Sequence, residues 1–99
     1  MKKTKAGRSY ADGLQARLGN PDFAAAFLTT AAEDAEPHVY LAALREVAKA
    51  YGIAKVAARA GLPRESVYRA LSPNANPRWS TLAAIIRATG VKLTLSRPT

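Results

Sequence analysis

The sequence predicts an all-α chain, a bundle of about six short helices with a short C-terminal β-strand that pairs across a dimer. Three observations carry that expectation. Apolar residues recur at steps of three and four, proline and glycine mark where each run starts and stops, and alternation of period two appears at Val91-Lys92-Leu93-Thr94-Leu95.

Taken in order, residues 1–9 read as a flexible basic tail, rich in lysine and poor in apolar side chains. It serves either solubility or as an arm along a DNA groove. Residues 10–99 read as one helical domain, opening with a helical lead-in over 10–36. Ser9 caps a first helix from about Tyr10 to Leu18, where Leu14 and Leu18 lie one turn apart, and Gly19 stops it. Asn20-Pro21-Asp22 then restarts the helix with a cap, a pre-set φ and an acid at the positive helix end. The second helix, about Pro21 to Ala32, packs through Phe23, Phe27 and Leu28.

Glu33-Asp34-Ala35-Glu36-Pro37 is an acidic break. From Pro37 to about Tyr51 a third helix carries Tyr40, Leu41, Leu44, Val47, Ala48 and Tyr51 as a core-facing stripe, until Gly52 closes it. Two short helices follow, about Ile53 to Ala60 and Pro63 to Leu71. A polar loop from Ser72 to Arg78 leads to a last helix from Trp79 or Ser80 to Thr89, with Leu82, Ile85 and Ile86 inward, Trp79 packed, and Gly90 at its end. This core spans 37–90. The strand over 91–95 needs a ladder partner, and its own copy in a second chain is the nearest one, which implies a two-fold dimer.

Composition narrows the functional classes. The chain has 99 residues and no cysteine, which excludes disulfides, zinc fingers and a thiol nucleophile. His38, the only histidine, has no second ligand at metal spacing and no triad partner, so it reads as a surface residue. With no glycine-rich phosphate loop either, the expectation is a non-enzyme with no cofactor, no metal and no catalytic residue. No apolar run is long enough to span a membrane, and a soluble cytoplasmic protein is expected.

The formal charge of +8 is unevenly spread. Residues 1–8 carry four bases, and residues 9–51 carry six acids against three bases. Residues 52–99 carry eight bases against Glu65 alone. A polyanion partner for that last segment follows, because phosphate contacts supply most sequence-independent binding energy.

Within the basic segment, Ile53 to Leu71 has the spacing of a DNA-binding helix-turn-helix. Ala57 lies where two helices press together and only a small side chain fits. Gly61 takes the turn at positive φ, while Val56, Leu62 and Val67 fill the wedge. Facing outward are Arg64, Glu65, Ser66, Tyr68 and Arg69, whose chemistry suits base edges and phosphates: arginine to guanine, glutamate to cytosine, tyrosine to a phosphate or thymine methyl. Lys55 on the preceding helix, and Asn76, Arg78 and Ser80 at the start of the last one, complete the candidate DNA-binding set. Pro63 brings no side-chain oxygen, so the second motif helix lacks the usual cap.

The stretches LAALREVAKAYG, IAKVAARAGLPRESVYRALSPNANPRWSTLAAIIRATG and VKLTL, after the lead-in RLGNPDFAAAFLTTAAEDAEP, resemble the addiction-module antidote proteins, antitoxins of the HigA-like group. The resemblance covers about nine tenths of the chain; relatives commonly have Ser where Pro63 stands. It implies a lambda-repressor-like helical domain that binds operator DNA, represses its own operon, and neutralises a RelE-type toxin that cleaves RNA on the ribosome. RNA-binding toxins are basic, so the acidic residues Asp22, Glu33, Asp34 and Glu36 become the candidate toxin-binding surface. A stand-alone dimeric transcriptional repressor without a toxin partner remains the alternative.

Overall fold

The computed structural model of the chain describes residues 13–95 and residue 97. Six helices account for most of them: α1 (residues 13–18), α2 (Pro21–Ala32), α3 (Pro37–Tyr51), α4 (Ile53–Ala60), α5 (Arg64–Ala70) and α6 (Trp79–Ala88). The basic tail, the Ser9 cap and the first residues of the expected opening helix lie outside the described residues.

Local chemistry explains most boundaries. Asn20 has extended backbone, and its Oδ1 accepts from the N–H groups of Asp22 (2.8 Å) and Phe23 (3.3 Å), satisfying two donors that the first turn of α2 leaves free. Pro21 and Pro37 each stand at a helix start, where the missing N–H costs nothing. The four residues between α2 and α3 are too few for anything but an antiparallel return, and Asp34 Oδ1 secures the turn by accepting from the Glu36 N–H at 2.8 Å. Gly61, at φ 70° and ψ 33°, ends α4 in the left-handed region. The following N–H groups then reach back, Gly61 to Ala58 at 3.3 Å and Leu62 to Ala57 at 3.0 Å.

α3 lies between α2 and α4, and α4 in turn packs on α5 and α6. One core joins Leu44, Val47 and Ala48 of α3 with Val56 of α4, Val67 of α5 and Ile85 and Ile86 of α6, all at 2% exposure or less. On the other side α2 lies along α3 and contributes Ala24, Leu28 and Ala31. Ala57 is buried where α4 crosses its neighbours, so only a methyl group separates the backbones there. Arg45 leaves α3 sideways: its Nε–H donates to the Leu71 carbonyl at 2.5 Å, tying the end of α5 to the central helix. Tyr40 is half-buried, and that desolvation raises its phenol pKa above the usual value.

Three expectations need correction. Residues 91–95 form no strand among the described residues. A strand exists by pairing with another, and the rest of the described chain is helix or loop, leaving it no partner. No alternation of burial results: Val91 packs on the core, whereas residues 92–95, Leu93 and Leu95 included, are exposed. Trp79 is 62% exposed rather than packed: at the first position of α6 it lines an open cleft with Ala83, Arg87 and Val91. Pro63 precedes α5 in an extended conformation instead of joining it, and α5 closes at Ala70.

Candidate nucleic-acid interface

The α5 helix buries one face and offers the other. Val67 and Ala70 point into the core with Leu71, so their neighbours at the intervening positions must project outward. Arg64, Glu65, Tyr68 and Arg69 are all exposed, Tyr68 by 56%, and Ser66 is partly exposed. Arg64 and Tyr68 lie one turn apart, as do Glu65 and Arg69, giving two parallel rows on the solvent face. Among the described residues the ion pairs are His38 with Glu36 at 3.9 Å and Lys49 with Glu46 at 3.6 Å. Neither involves Arg64, Arg69 or Arg78, whose guanidinium groups keep their donors for an outside acceptor.

Beside α5 an open cleft of about 600 Å³ separates its carboxyl end from the loop leading to α6. Ser66, Arg69, Asn76 and Arg78 line it together with Leu62 and Thr81. Four residues singled out in the sequence are therefore brought to one place, with two guanidinium groups facing hydroxyl and amide donors. That chemistry holds an anionic oxygen, as in a phosphate, through charge-assisted hydrogen bonds. Arg78 also stands at the N-terminus of α6 with no side-chain cap, leaving the first-turn N–H groups for the same purpose; Ser80 is exposed in that turn.

Lys55 belongs to a different cluster. Its Nζ lies 5.6 Å from the Tyr51 ring centroid, and the Arg59 guanidinium lies 5.6 Å from the same ring while donating to the Tyr51 hydroxyl. One aromatic ring thus holds two cations at the surface of α4. Sequence reasoning missed Tyr51 and Arg59 here. The signal was present: residues 51, 55 and 59 repeat at four, and α4 restarts so soon after Gly52 that the spacing survives the break.

The acidic candidates split. Glu33, Asp34 and Glu36 sit together in the exposed turn between α2 and α3, whereas Asp22 is in the first turn of α2, roughly 16 Å away at 1.5 Å per residue. Glu46, which the sequence did not single out, lies toward the Asp22 end, where Gln15 Nε2 donates to its Oε1 at 3.1 Å. His38 is exposed in the first turn of α3. Among the described residues no three His, Cys, Asp or Glu side chains gather as a metal site, and no helix is long and apolar enough to cross a membrane.

Comparison with known proteins adds the following. A family described as probable addiction module antidote protein matches residues 12–97. A protein of Haemophilus influenzae described as uncharacterized is 38% identical over 48 residues, which are 48% of this chain and 50% of that protein. The chain therefore spans about half the length of that relative. No solved structure matches.

Proposed function

The chain belongs to the probable addiction module antidote family, and from that premise we propose that it is an antitoxin that also represses its own operon by binding operator DNA. The family supports the antitoxin role and a toxin partner of some kind, and it points away from catalysis. The DNA-binding part rests on one observation above the others: α5 turns its buried face inward and presents Arg64 and Arg69 to solvent in a half of the chain carrying eight bases and one acid.

In this reading α4 and α5 form a helix-turn-helix of the lambda-repressor kind, and the amino end of α5 enters the major groove. Arg64 reads a base edge there, with Glu65 and Tyr68 beside it. Arg69, Arg78 and the first turn of α6 grip the phosphate backbone through the adjoining cleft, and Lys55 with Arg59 extends the grip along α4. The segment 91–95 pairs with its own copy, and the resulting dimer engages half-sites about 34 Å apart on an inverted repeat. The partner is a RelE-type ribonuclease, met through Glu33, Asp34 and Glu36, and the work is done in the cytoplasm.

Footprinting the purified chain on the DNA upstream of its own gene, with and without the product of the neighbouring gene, tests both halves. A protected inverted repeat whose occupancy changes with the neighbouring product supports the reading. Protection indifferent to that product would leave a stand-alone repressor, and no protection would end the DNA-binding claim. Reversing Glu33, Asp34 and Glu36 to Lys should weaken toxin binding at low salt, and unchanged binding would remove those residues from the interface.

A further inference from the structure

The hairpin of α2 and α3 has more apolar face than its core uses. One stripe of α3, through Leu41, Leu44, Val47 and Ala48, is buried. A second, through Val39 and Ala42, faces outward and runs beside an outward stripe of α2 made by Phe23, Ala26, Phe27 and Thr30. Between the stripes lies an open groove of about 610 Å³. It is open because its facing positions are small: Ala26 and Ala42 leave a trough, and the Phe23 and Phe27 rings, stacked with centroids 6.1 Å apart, form one wall. Asp34 stands on the rim at the turn end and Glu46 at the other.

We propose that this groove is the seat of the toxin, and that it takes an amphipathic segment of that partner whose apolar side chains fill the trough while cationic ones meet Asp34 at the turn end. The inference rests on the antitoxin reading above and adds to it where the partner sits and what it presents. Charge complementarity selects the occupant. From Pro21 to Tyr51 the hairpin carries five acids against two bases, Arg45 and Lys49. Arg45 is turned to Leu71, while at the far end Lys49 offsets Glu46 and the Arg17 guanidinium lies 5.2 Å from the Phe23 ring, so the negative field is concentrated at the turn end of the groove, around Glu33, Asp34 and Glu36. Nucleic acid is repelled there. A second copy joined across a two-fold axis through the same face would set carboxylates against carboxylates. The chain's own segment before residue 9 has the right charge but offers little besides Met1 and Ala6 to fill an apolar trough. A cationic amphipathic segment satisfies both the trough and the rim, and α2 is long enough to seat about three turns of helix at 1.5 Å per residue.

Ala42 is exposed, so substitutions there act on the groove and spare the core. The test compares Ala42→Arg, Ala42→Glu and Asp34→Asn in the full chain, reading the dissociation constant for the purified product of the neighbouring gene by calorimetry at one fixed salt concentration. Operator binding serves as the control for folding, and Thr30→Arg, at another point along the groove, replaces any variant that fails it. The expected result is a dissociation constant at least tenfold higher for both Ala42 variants, which fill the trough, and at least threefold higher for Asp34→Asn, which removes the rim charge and keeps the acceptor that holds the turn. Unchanged binding by both arginine variants overturns the proposal while leaving the antitoxin reading intact. Unchanged binding by Asp34→Asn would overturn the cationic partner. Loss of self-association in Ala42→Arg with toxin binding untouched would assign the groove to a second copy. A tenfold gain in toxin affinity on deleting residues 2–8 would assign it to the tail. An unmodified chain that does not bind the neighbouring product at all would instead refute the antitoxin reading itself.

Discussion

The α2–α3 hairpin and the α4–α6 half share one core and differ in almost everything they show to water. The hairpin is net acidic, its turn is a cluster of carboxylates, and its outer face carries an apolar trough. The other half carries nearly all its charge as arginine and lysine, and its outer face offers guanidinium groups around a polar cleft. Exposed charges act over about 8 Å at physiological ionic strength, so opposite fields on two faces of one small body recruit opposite partners with little interference. That separation would serve the two partners proposed above, DNA on one face and a basic toxin on the other. Beyond the shared core, Arg45 adds a tie between the halves, since it leaves the hairpin's α3 to fasten the end of α5.

That contrast breaks at its strongest point if Arg64 or Arg69 is dispensable. Replacing either by Ala should cost about 1–3 kcal/mol of operator affinity if it reads a base, measured by titration of labelled operator DNA, while toxin affinity stays unchanged. Equal loss on every DNA sequence would mark a phosphate contact instead. The next effect falls on the frame of the basic half. Gly61→Ala meets nothing within 4 Å of the new methyl group, so its penalty comes from the left-handed backbone alone. It should lower unfolding stability by about 1–2 kcal/mol in urea titration and weaken operator binding with it.

In the hairpin, Asn20→Ala removes two cap hydrogen bonds and should cost about 1 kcal/mol of stability without touching operator affinity in the folded chain. Comparing the two variants therefore tests whether the halves carry separate duties on a common core. The smallest effect is alkaline. Because burial raises the Tyr40 pKa, the folded state holds that proton more tightly, and the stabilisation is complete below the unfolded phenol value of about 10. It is lost as pH rises through the higher folded value, and Tyr40→Phe should flatten the stability curve measured there.

Much of the fold was readable because helix ends are local events. Asn20, Pro21, Pro37, Gly52 and Gly61 each act on their own backbone, and the helices begin or end beside them. The exposed rows on α5 followed from period alone, since burying Val67 and Ala70 determines what Arg64 and Tyr68 must do. What sequence reasoning lost was whatever depends on the distance between helices. Trp79 shares a stripe with the buried Ala83 and Ile86, yet at the first position of α6 it borders an open cleft and stays exposed. The groove escaped notice because Ala26 and Ala42 read as ordinary helix formers until α2 and α3 are set side by side. The alternation at 91–95 was real, but pairing is a property of two segments and the pattern describes one.

The most direct test of the division between the halves is the salt dependence of affinity for the chain's own upstream DNA. If the basic half grips six to ten phosphates in the dimer, log affinity should fall against log salt with a slope of roughly −5 to −9. A nearly flat slope would contradict the account, because the cationic face would then have no part in holding DNA.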